Sequence, residues 1–417
     1  MPVWRPVPGI PVAHRSMRGD HGAYVPLPVP PGSLSDATHR HGRAEFHRAV
    51  AAPAVSRLLV VSASMGSGHD AVADELARRL RAAGHEAVRV DVLKMLPGAI
   101  GAGLRGFYSQ TVRHVPLLYA GIYAAFFRDG PGLRPGSAPL AALAEDRLRA
   151  EVSDGRADAV VSVFHLAAQL TGRMRARGRL PVPSAVVVTD FAVHRQWLHP
   201  GNDLNLCLTP EIAREVRHRS GRPALACGPL LPGRFGPHPA GESYWRQRLT
   251  AEDGRTPVLL SAGAWGVGSR LGATARLLSG AGYLPVTLCG RNERLHRRMS
   301  KVPGTLALGW VDDMPGLISA CSALIDNAAG QTALEALAVG VPVVGYRPIP
   351  GHGADGVRRM ASLGLTDHAT GSWQLVQCLD RLTSGGPAPC HLPAADRRLF
   401  QGDVVGPLEQ LAAGSRI

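Results

Sequence analysis

Short, continuous apolar runs, each closed by a turn and followed by a helical period, recur along most of this chain. Arg57 to Ala63 (RLLVVSA), Asp158 to Val163 (DAVVSV), Ser184 to Thr189 (SAVVVT), Pro257 to Ser261, Pro285 to Cys289 and Ser322 to Asp326 all have this character. Strands that are apolar on both faces, rather than alternating, are what a parallel sheet covered by helices demands. The first run leads through Ser64-Met65-Gly66-Ser67-Gly68-His69 into a helix predicted to end near Ala83, where Gly84 stops it, and Glu86 to Val92 is the next strand. That is a complete β-α-β unit. The order returns in the second half, where Pro257 to Ser261 is followed by the glycine-bearing loop Ala262 to Gly268, a helix and another strand. The pattern predicts an α/β protein of two domains of the same kind, facing each other across a cleft.

Residues 1–55, rich in Pro, Gly, Arg and His and without either period, are expected to be a disordered leader. The first domain is assigned to 56–235 and the second to 240–395, with a hinge at Gly228 to Phe235 and a Pro/Gly-rich linker after it. Residues 396–417 are expected to carry a helix, about Asp403 to Ala413, that packs back across the hinge.

The stretch from Gly309 to Arg359 holds the densest candidate chemistry. After the strand at Ser322 to Asp326 comes the turn Asn327 to Gly330, then a helix of good formers from Gln331 to Val339, stopped by Gly340 and Pro342. The first turn of such a helix leaves N–H groups unpaired and carries roughly half a positive charge, which suits a diphosphate. Glu335 shares a face with Gln331 and Thr332 about one turn from Gly330, so its carboxylate can accept hydrogen bonds from the two hydroxyls of a ribose. An isolated Glu would more often be a solvated helix residue; the turn before it favours the binding reading.

A segment from Leu96 to Phe127 combines Phe107, Tyr108, Tyr119, Tyr123, Phe126 and Phe127 with Arg105, Arg113 and Arg128. It reads equally as a pair of core helices or as an amphipathic stretch lying in a lipid headgroup plane. Its longest apolar run, Val115 to Phe127, is too short to span a bilayer. In the first half, Thr189-Asp190 follows a strand and leads to His194, Trp197 and His199. Asp190 therefore sits where open α/β sheets place active-site groups, although such residues also serve as helix caps. His194 and His199 have no third ligand nearby, so no metal site is assigned.

With 417 residues the chain exceeds one ordinary core, which fits two domains. Its net charge is +14, yet all but Lys94 and Lys301 of its 46 basic residues are Arg, as much the mark of a coding bias as of an acidic partner. Nucleic acid does not follow from that charge; an anionic membrane surface is preferred, because basic residues flank apolar segments rather than base-stacking aromatics. Six widely spaced cysteines without a zinc spacing are expected to be buried thiols in a reducing compartment.

The order G-W-V-D-D-M-P, then a strand, then G-x-T-x-x-E-A-L-A-x-G-x-P-x-V and P-x-P-G resembles the donor half of the family 28 glycosyltransferases. That family includes the monogalactosyldiacylglycerol and processive diglucosyldiacylglycerol synthases, with MurG more distant. Further matches are S-A-S-x-G-x-G-H at 62–69, T-D-x-x-x-H-x-x-W-x-H-P at 189–200 and C-G-R-N at 289–292. The resemblance implies a GT-B architecture of two Rossmann-like domains and an inverting transfer of hexose from a nucleotide diphosphate, with UDP expected, to a lipid acceptor. The sugar nucleotide is a substrate, and no cofactor is implied.

By the same resemblance Glu335 binds the ribose, while Gly330, Gln331 and Thr332 face the diphosphate. Gly263, Gly266, Arg291, Asn292 and His352 belong to the donor side. His69 is the candidate general base, with Asp190 and His194 as its catalytic companions. Gly66, Gly68, Tyr108, Pro116, Tyr119, Tyr123 and Trp197 are expected on the acceptor and membrane side, and the protein is expected to be cytoplasmic and peripheral on the inner membrane face.

Three departures stand against the family pattern: Ala262, Ala264 and Trp265 in the donor loop, Asn327-Ala328-Ala329-Gly330 in place of K-P-G-G, and Pro350-Gly351-His352-Gly353 in place of P-G-Q-E. They support an alternative, a GT-B-shaped protein that binds lipid or nucleotide without transferring sugar. A sugar-nucleotide epimerase on a related two-domain fold fits less well.

Overall fold

Two six-stranded sheets are present among the described residues, and every strand pair in them is parallel. The structure, a computed structural model, describes residues 55–128, 136–252, 254–261, 270–384 and 398–415. The leader assigned to 1–55 lies outside these residues apart from Val55.

The first sheet contains β1 (Arg57–Ser62), β2 (Glu86–Asp91), β3 (Ala159–Ser162), β4 (Ser184–Val187), β5 (Leu204–Cys207) and β6 (Ala224–Ala226), in the order β2-β1-β3-β4-β5-β6. Successive residues of β1 feed opposite layers. Leu58 and Val60 pack with Leu76, Leu80 and Leu408, while Leu59 and Val61 pack with Leu148, Leu166 and Leu170. Both faces are dry, which explains why these strands read as unbroken apolar runs.

The second sheet contains β7 (Thr256–Ser261), β8 (Tyr283–Leu288), β9 (Leu306–Leu308), β10 (Ala323–Asp326), β11 (Val343–Tyr346) and β12 (Asp367–Ala369), in the order β12-β11-β10-β7-β8-β9. This is a doubly wound sheet, and it is the α/β fold with two Rossmann-like sheets that the pattern predicts. In each sheet the chain reverses its direction of winding once, between β1 and β3 in the first and between β7 and β10 in the second. Ligands of open α/β sheets bind at the carboxyl ends of strands flanking such a reversal.

The chain crosses between the halves twice. The outward crossing passes Cys227 and Gly228, and the return brings Val404, Leu408 and Leu411 into the core of the first sheet. Helix Val405–Ala412 is further tied by Glu409 Oε1, 2.7 Å from Nε2 of His85. Where the crossings touch there is room for backbone only. A Cβ on Gly402 would lie 2.2 Å from the carbonyl carbon and oxygen of Cys227, and one on Gly228, whose φ is +70°, would lie 2.2 Å from the carbonyl oxygen of Leu399. The five cysteines among the described residues are free, four of them buried.

Gly402→Ala is therefore expected to lower the melting temperature by several degrees, as a backbone clash in a packed site costs on the order of 1–3 kcal/mol. Gly280→Ala, in a helix with nothing within 4 Å of the added carbon, is the control and should be neutral or slightly stabilising. Thermal melts followed by circular dichroism check the pair.

Candidate active site

At the reversal of the first sheet, β1 runs into the loop that ends at Gly66, the extended N-cap of helix Ser67–Ala82. His69 therefore sits in the first turn of that helix, with its ring edge-on to Phe164 at 4.9 Å and 6.4 Å from the ring of Trp197. Burial lowers its pKa, against the pull of Asp190 and a hydrogen bond to the carbonyl of Val163. Its Nδ1 lies 3.5 Å from the hydroxyl of Thr189. A neutral imidazole whose proton is committed to a carbonyl keeps its other nitrogen as an acceptor, the state a general base requires.

Asp190 follows β4 and is the charge around which this end of the cleft is arranged. Trp197 Nε1 donates to its Oδ2 at 2.8 Å, and His194 Nε2 stands 3.5 Å from the same oxygen. Burial alone would raise its pKa; the hydrogen bond and charge of His194, with His69 and Trp197, outweigh burial and hold it below the usual carboxylate range. Trp197 was expected on the lipid side, yet it is wholly buried. Its indole is a fixed donor to Asp190 rather than a surface contact, because a buried N–H must find an acceptor.

His165 carried no signal in the sequence, and the structure places it in the same group. It begins helix His165–Ala176 after β3, with its ring 5.2 Å from His194 and 5.1 Å from Phe127. Burial, then the neighbouring His194 and His69, pushes its pKa well below the ordinary value. Nδ1 of His165 and Nδ1 of His194 are both buried without a hydrogen-bond partner among the described residues. The position alone, first residue of the helix that follows a central strand at the reversal, could have flagged it.

At the reversal of the second sheet, β10 ends in buried Asp326, whose Oδ2 accepts from the backbone N–H of Ala328 at 3.0 Å and of Ala329 at 2.6 Å. This bends the chain sharply, with Ala329 at φ +53°, and delivers Gly330 as the extended N-cap of helix Gln331–Ala338. The first intrahelical bonds run from Ala333 and Leu334 to Gly330 O, so the N–H groups of Gln331 and Thr332 precede them. Nε2 of Gln331 is buried with no partner among the described residues. Glu335 lies one turn on, its carboxylate pushed up to about 8 by burial, with Arg234 opposing.

The two reversal points face each other. A Cβ on Gly68 would be in contact with Cβ of Gln331 at 3.7 Å. The structure thus brings Gly66, Gly68, His69, Asp190 and His194 from one half toward Gln331 from the other. Arg291 and Asn292 stand one strand aside, after β8. Arg291 rests on Trp310 at 4.0 Å, and the Asn292 side chain accepts from Leu295 N at 3.0 Å as the cap of helix Glu293–Met299. Gly263 and Gly266 lie outside the described residues.

The aromatic segment forms helices Ile100–His114 and Pro116–Phe126. Tyr119 and Tyr123, expected at the membrane, are buried and turned inward, with rings 5.8 and 6.3 Å from that of His352 across the cleft. The outward face is made instead by Ile100, Phe107, Leu117, Leu118 and Phe126, with Leu117 82% exposed. Helical periodicity fixed that two faces exist and not which one turns out. Beside His194 an open cavity of about 490 Å³ separates the halves, and it is crossed by ion pairs from Arg128 to Asp355 at 2.9 Å and from Arg359 to Glu215 at 3.0 Å. Among the described residues no group of three or more His, Cys, Asp or Glu is placed to hold a metal ion.

The family described as monogalactosyldiacylglycerol (MGDG) synthase matches residues 69–224. The chain is 24% identical to the processive diacylglycerol beta-glucosyltransferase of Bacillus subtilis (strain 168) over 317 residues, which are 71% of this chain and 78% of that one. Identity to the protein of the same name from Bacillus mycoides (strain KBAB4) is 27% over 323 residues, 71% of this chain and 77% of the other. Among solved structures, Acinetobacter baumannii MurG superposes with a TM-score of 0.50 at 15% identity, over 86% of this chain and 99% of its own. Os79 from O. sativa in complex with UDP superposes with a TM-score of 0.55 at 15% identity, over 86% and 100%. At such identities these structures speak to the fold alone, and that fold is GT-B.

Glu335 gives a stability signature. Its folded pKa of about 8 lies above the ordinary carboxylate value, so its contribution is fully present at acid pH and is lost as pH rises through 8. Glu335→Gln, neutral at every pH, should melt like the wild type near pH 4 and progressively higher than it from about pH 5 to 8, with a constant difference above. A difference independent of pH would place the carboxylate in water.

Proposed function

We propose that the chain is a family 28 glycosyltransferase of the monogalactosyldiacylglycerol synthase type, which moves a hexose from a nucleoside diphosphate, with UDP expected, to the hydroxyl of a diacylglycerol-class lipid. The observation that carries this reading is the contact of the two reversal points, which sets the buried, neutral imidazole of His69 opposite the unpaired amide of Gln331 and the helix N-terminus behind it.

In the reaction the acceptor oxygen attacks the anomeric carbon on the face opposite the diphosphate, and its proton passes to His69. The bond from the anomeric carbon to the β-phosphate oxygen breaks, the electron pair leaves with the nucleoside diphosphate, and configuration inverts. Asp190, ionised at neutral pH, favours the imidazolium as it forms. The backbone N–H groups of Gln331 and Thr332 and the helix dipole receive the charge that develops on the diphosphate. This matters because the turn 327–330 holds no cationic side chain. Glu335 accepts from the ribose hydroxyls, which removes the penalty of its unpaired burial.

Titration with UDP, together with transfer from UDP-hexoses to diacylglycerol vesicles, tests the scheme. Glu335→Ala should weaken UDP binding about 10-fold or more, as expected for loss of a carboxyl that accepts from two ribose hydroxyls. His69→Ala should keep UDP binding and lower kcat by about 10²- to 10⁴-fold. Unchanged UDP affinity in the first variant, or near-normal turnover in the second, would remove that residue from its role. Tight UDP binding without any transfer by the wild type would favour the non-catalytic alternative.

The outward apolar face of helices Ile100–His114 and Pro116–Phe126, on a chain of net charge +14, supports docking on an anionic membrane surface. No helix among the described residues is long and apolar enough to cross a membrane, and the inner face of the cell membrane is the proposed site. Replacing Leu117 and Leu118 together by Glu should reduce co-sedimentation with phosphatidylglycerol vesicles at least ~10-fold, from the lost burial of two large side chains, while UDP binding stays within about 2-fold. Undiminished vesicle binding would rule this face out.

A further inference from the structure

The turn that carries His194 and Trp197 is held by two amide side chains that no step above uses. His194 caps the short 3₁₀ turn Arg195–Trp197, so the two donors to Oδ2 of Asp190 come from its ends. Its backbone closes through Trp197 N to His194 O at 3.0 Å and Leu198 N to Arg195 O at 3.1 Å, and a single 3₁₀ turn is weak support on its own. Nε2 of Gln169, on helix His165–Ala176, donates to the carbonyls of Gln196 and Leu198 at 2.9 and 3.0 Å. The side chain of Gln196 is itself buried, 4% exposed. Its Nε2 donates to the carbonyl of Phe126 at 2.9 Å, and its Oε1 accepts from the hydroxyl of Ser137 at 2.7 Å and from Ser137 N at 3.3 Å.

Phe126 closes helix Pro116–Phe126, where the last carbonyls have no partner within the helix. The turn supplies those partners. Arg195 Nε joins Gln196 at Phe126 O, at 3.0 Å, and Arg195 N donates to Phe127 O at 3.3 Å. The ring of Phe127 stands edge-on to His194 at 4.8 Å, and the ring of Trp197 lies 6.1 Å from His194 at an angle of 27°. The helix end and the turn therefore satisfy each other, as buried polar groups must. In the run T-D-x-x-x-H-x-x-W-x-H-P, position 196 is one of those the pattern leaves open, so the resemblance gives Gln196 no role.

We propose that Gln196 is a positioning residue for the transfer: by fixing the turn Arg195–Trp197 to the end of helix Pro116–Phe126, it holds Trp197 and His194 at the distances that keep the Asp190 carboxylate in place for His69. The inference rests on the glycosyltransferase reading given above. Gln196 touches neither substrate nor reacting atoms and acts through Asp190. Hydrogen bonds to a carboxylate weaken steeply with distance and angle, so a loosened turn loses both donors to Oδ2 together. The counter-charge for the imidazolium is then misplaced at the moment it is needed.

Turnover counted per UDP-binding site separates positioning from support of the fold, because unfolded protein binds no UDP and does not enter the rate. Gln196→Met keeps the length of the side chain and removes its hydrogen bonds. It should lower kcat for transfer from a UDP-hexose to diacylglycerol about 10-fold or more, since a displacement of roughly 1 Å can cost on the order of 10²-fold. The KM for the UDP-hexose and the Kd of UDP should stay within about 2-fold. Asp190→Asn removes the charge that Gln196 serves, so the double variant should be no slower than Asp190→Asn alone, within about 2-fold. Gln169→Met loosens the same turn from a half-buried position. It should show the same split and the same lack of additivity, and it carries the test if Gln196→Met does not fold.

An unchanged kcat per site in the folded variant, parallel losses of kcat and UDP affinity, or additive losses with Asp190→Asn would each overturn the proposal and leave the glycosyltransferase reading in place. Absence of transfer by the wild type from every UDP-hexose would remove that reading and this proposal with it.

Discussion

Parallel pairing is the constraint from which the site follows. A strand that must pair in parallel with the next cannot turn straight back, so each is followed by a crossover and all strands of one sheet present their carboxyl ends at the same edge. Where the winding reverses, two neighbouring crossovers leave in opposite directions and open a crevice that no helix fills. In this molecule the two crevices are opposed. They come so close that a Cβ added to Gly68 would meet Cβ of Gln331 at 3.7 Å, and the helices beginning at Ser67 and Gln331 both direct their N-terminal ends toward this point. His69, Gln331, Thr332 and Glu335, which carry roles in the proposed transfer, lie on the helices that begin at these two points.

The electrostatics of the cleft are economical. His69, His165 and His352 are all driven toward neutrality by burial, and Asp190 retains its charge because Trp197 and His194 hold it. On the donor side the situation is inverted. Glu335 is kept from ionising by the same burial that the second half applies to its own sheet, and positive potential comes from oriented peptide groups rather than from a side chain. The fixed charges of the cleft are instead Asp190 and the Arg128–Asp355 and Arg359–Glu215 pairs beside it.

How much of this could be read beforehand depended on whether a feature is local. The strands of β1, β3, β4, β7 and β10 were legible because burial on both faces leaves an apolar run that needs no partner to interpret. β5, β6, β9 and β12 were not, since LNLC, ALA, LAL and DHA are too short to show any period. The glycine turn with its helix, and therefore Gln331, Thr332 and Glu335, could be placed because spacing along one helix fixes a face. Orientation across elements could not. Trp197 and Tyr119 were assigned to the acceptor and membrane side and are buried, because helical and loop sequences carry no statement about which neighbour they meet. His165 was passed over because its ligands are other rings from distant parts of the chain. Asn292 was read as a donor-side residue from a short resemblance, and the structure adds that its side chain caps helix Glu293–Met299.

The return of the chain to the first sheet has a consequence for how the protein is made. Leu408 and Leu411 are buried against Leu58, Val60, Leu76 and Leu80, so the core of the first half is sealed by residues synthesised after the second half. On the ribosome the N-terminal half must wait, with that apolar face of its sheet and of helix Ser67–Ala82 uncovered, until the whole of the second half has emerged. The order of completion is the reverse of the order of synthesis. A chain truncated anywhere before Val405 would leave that face open for good.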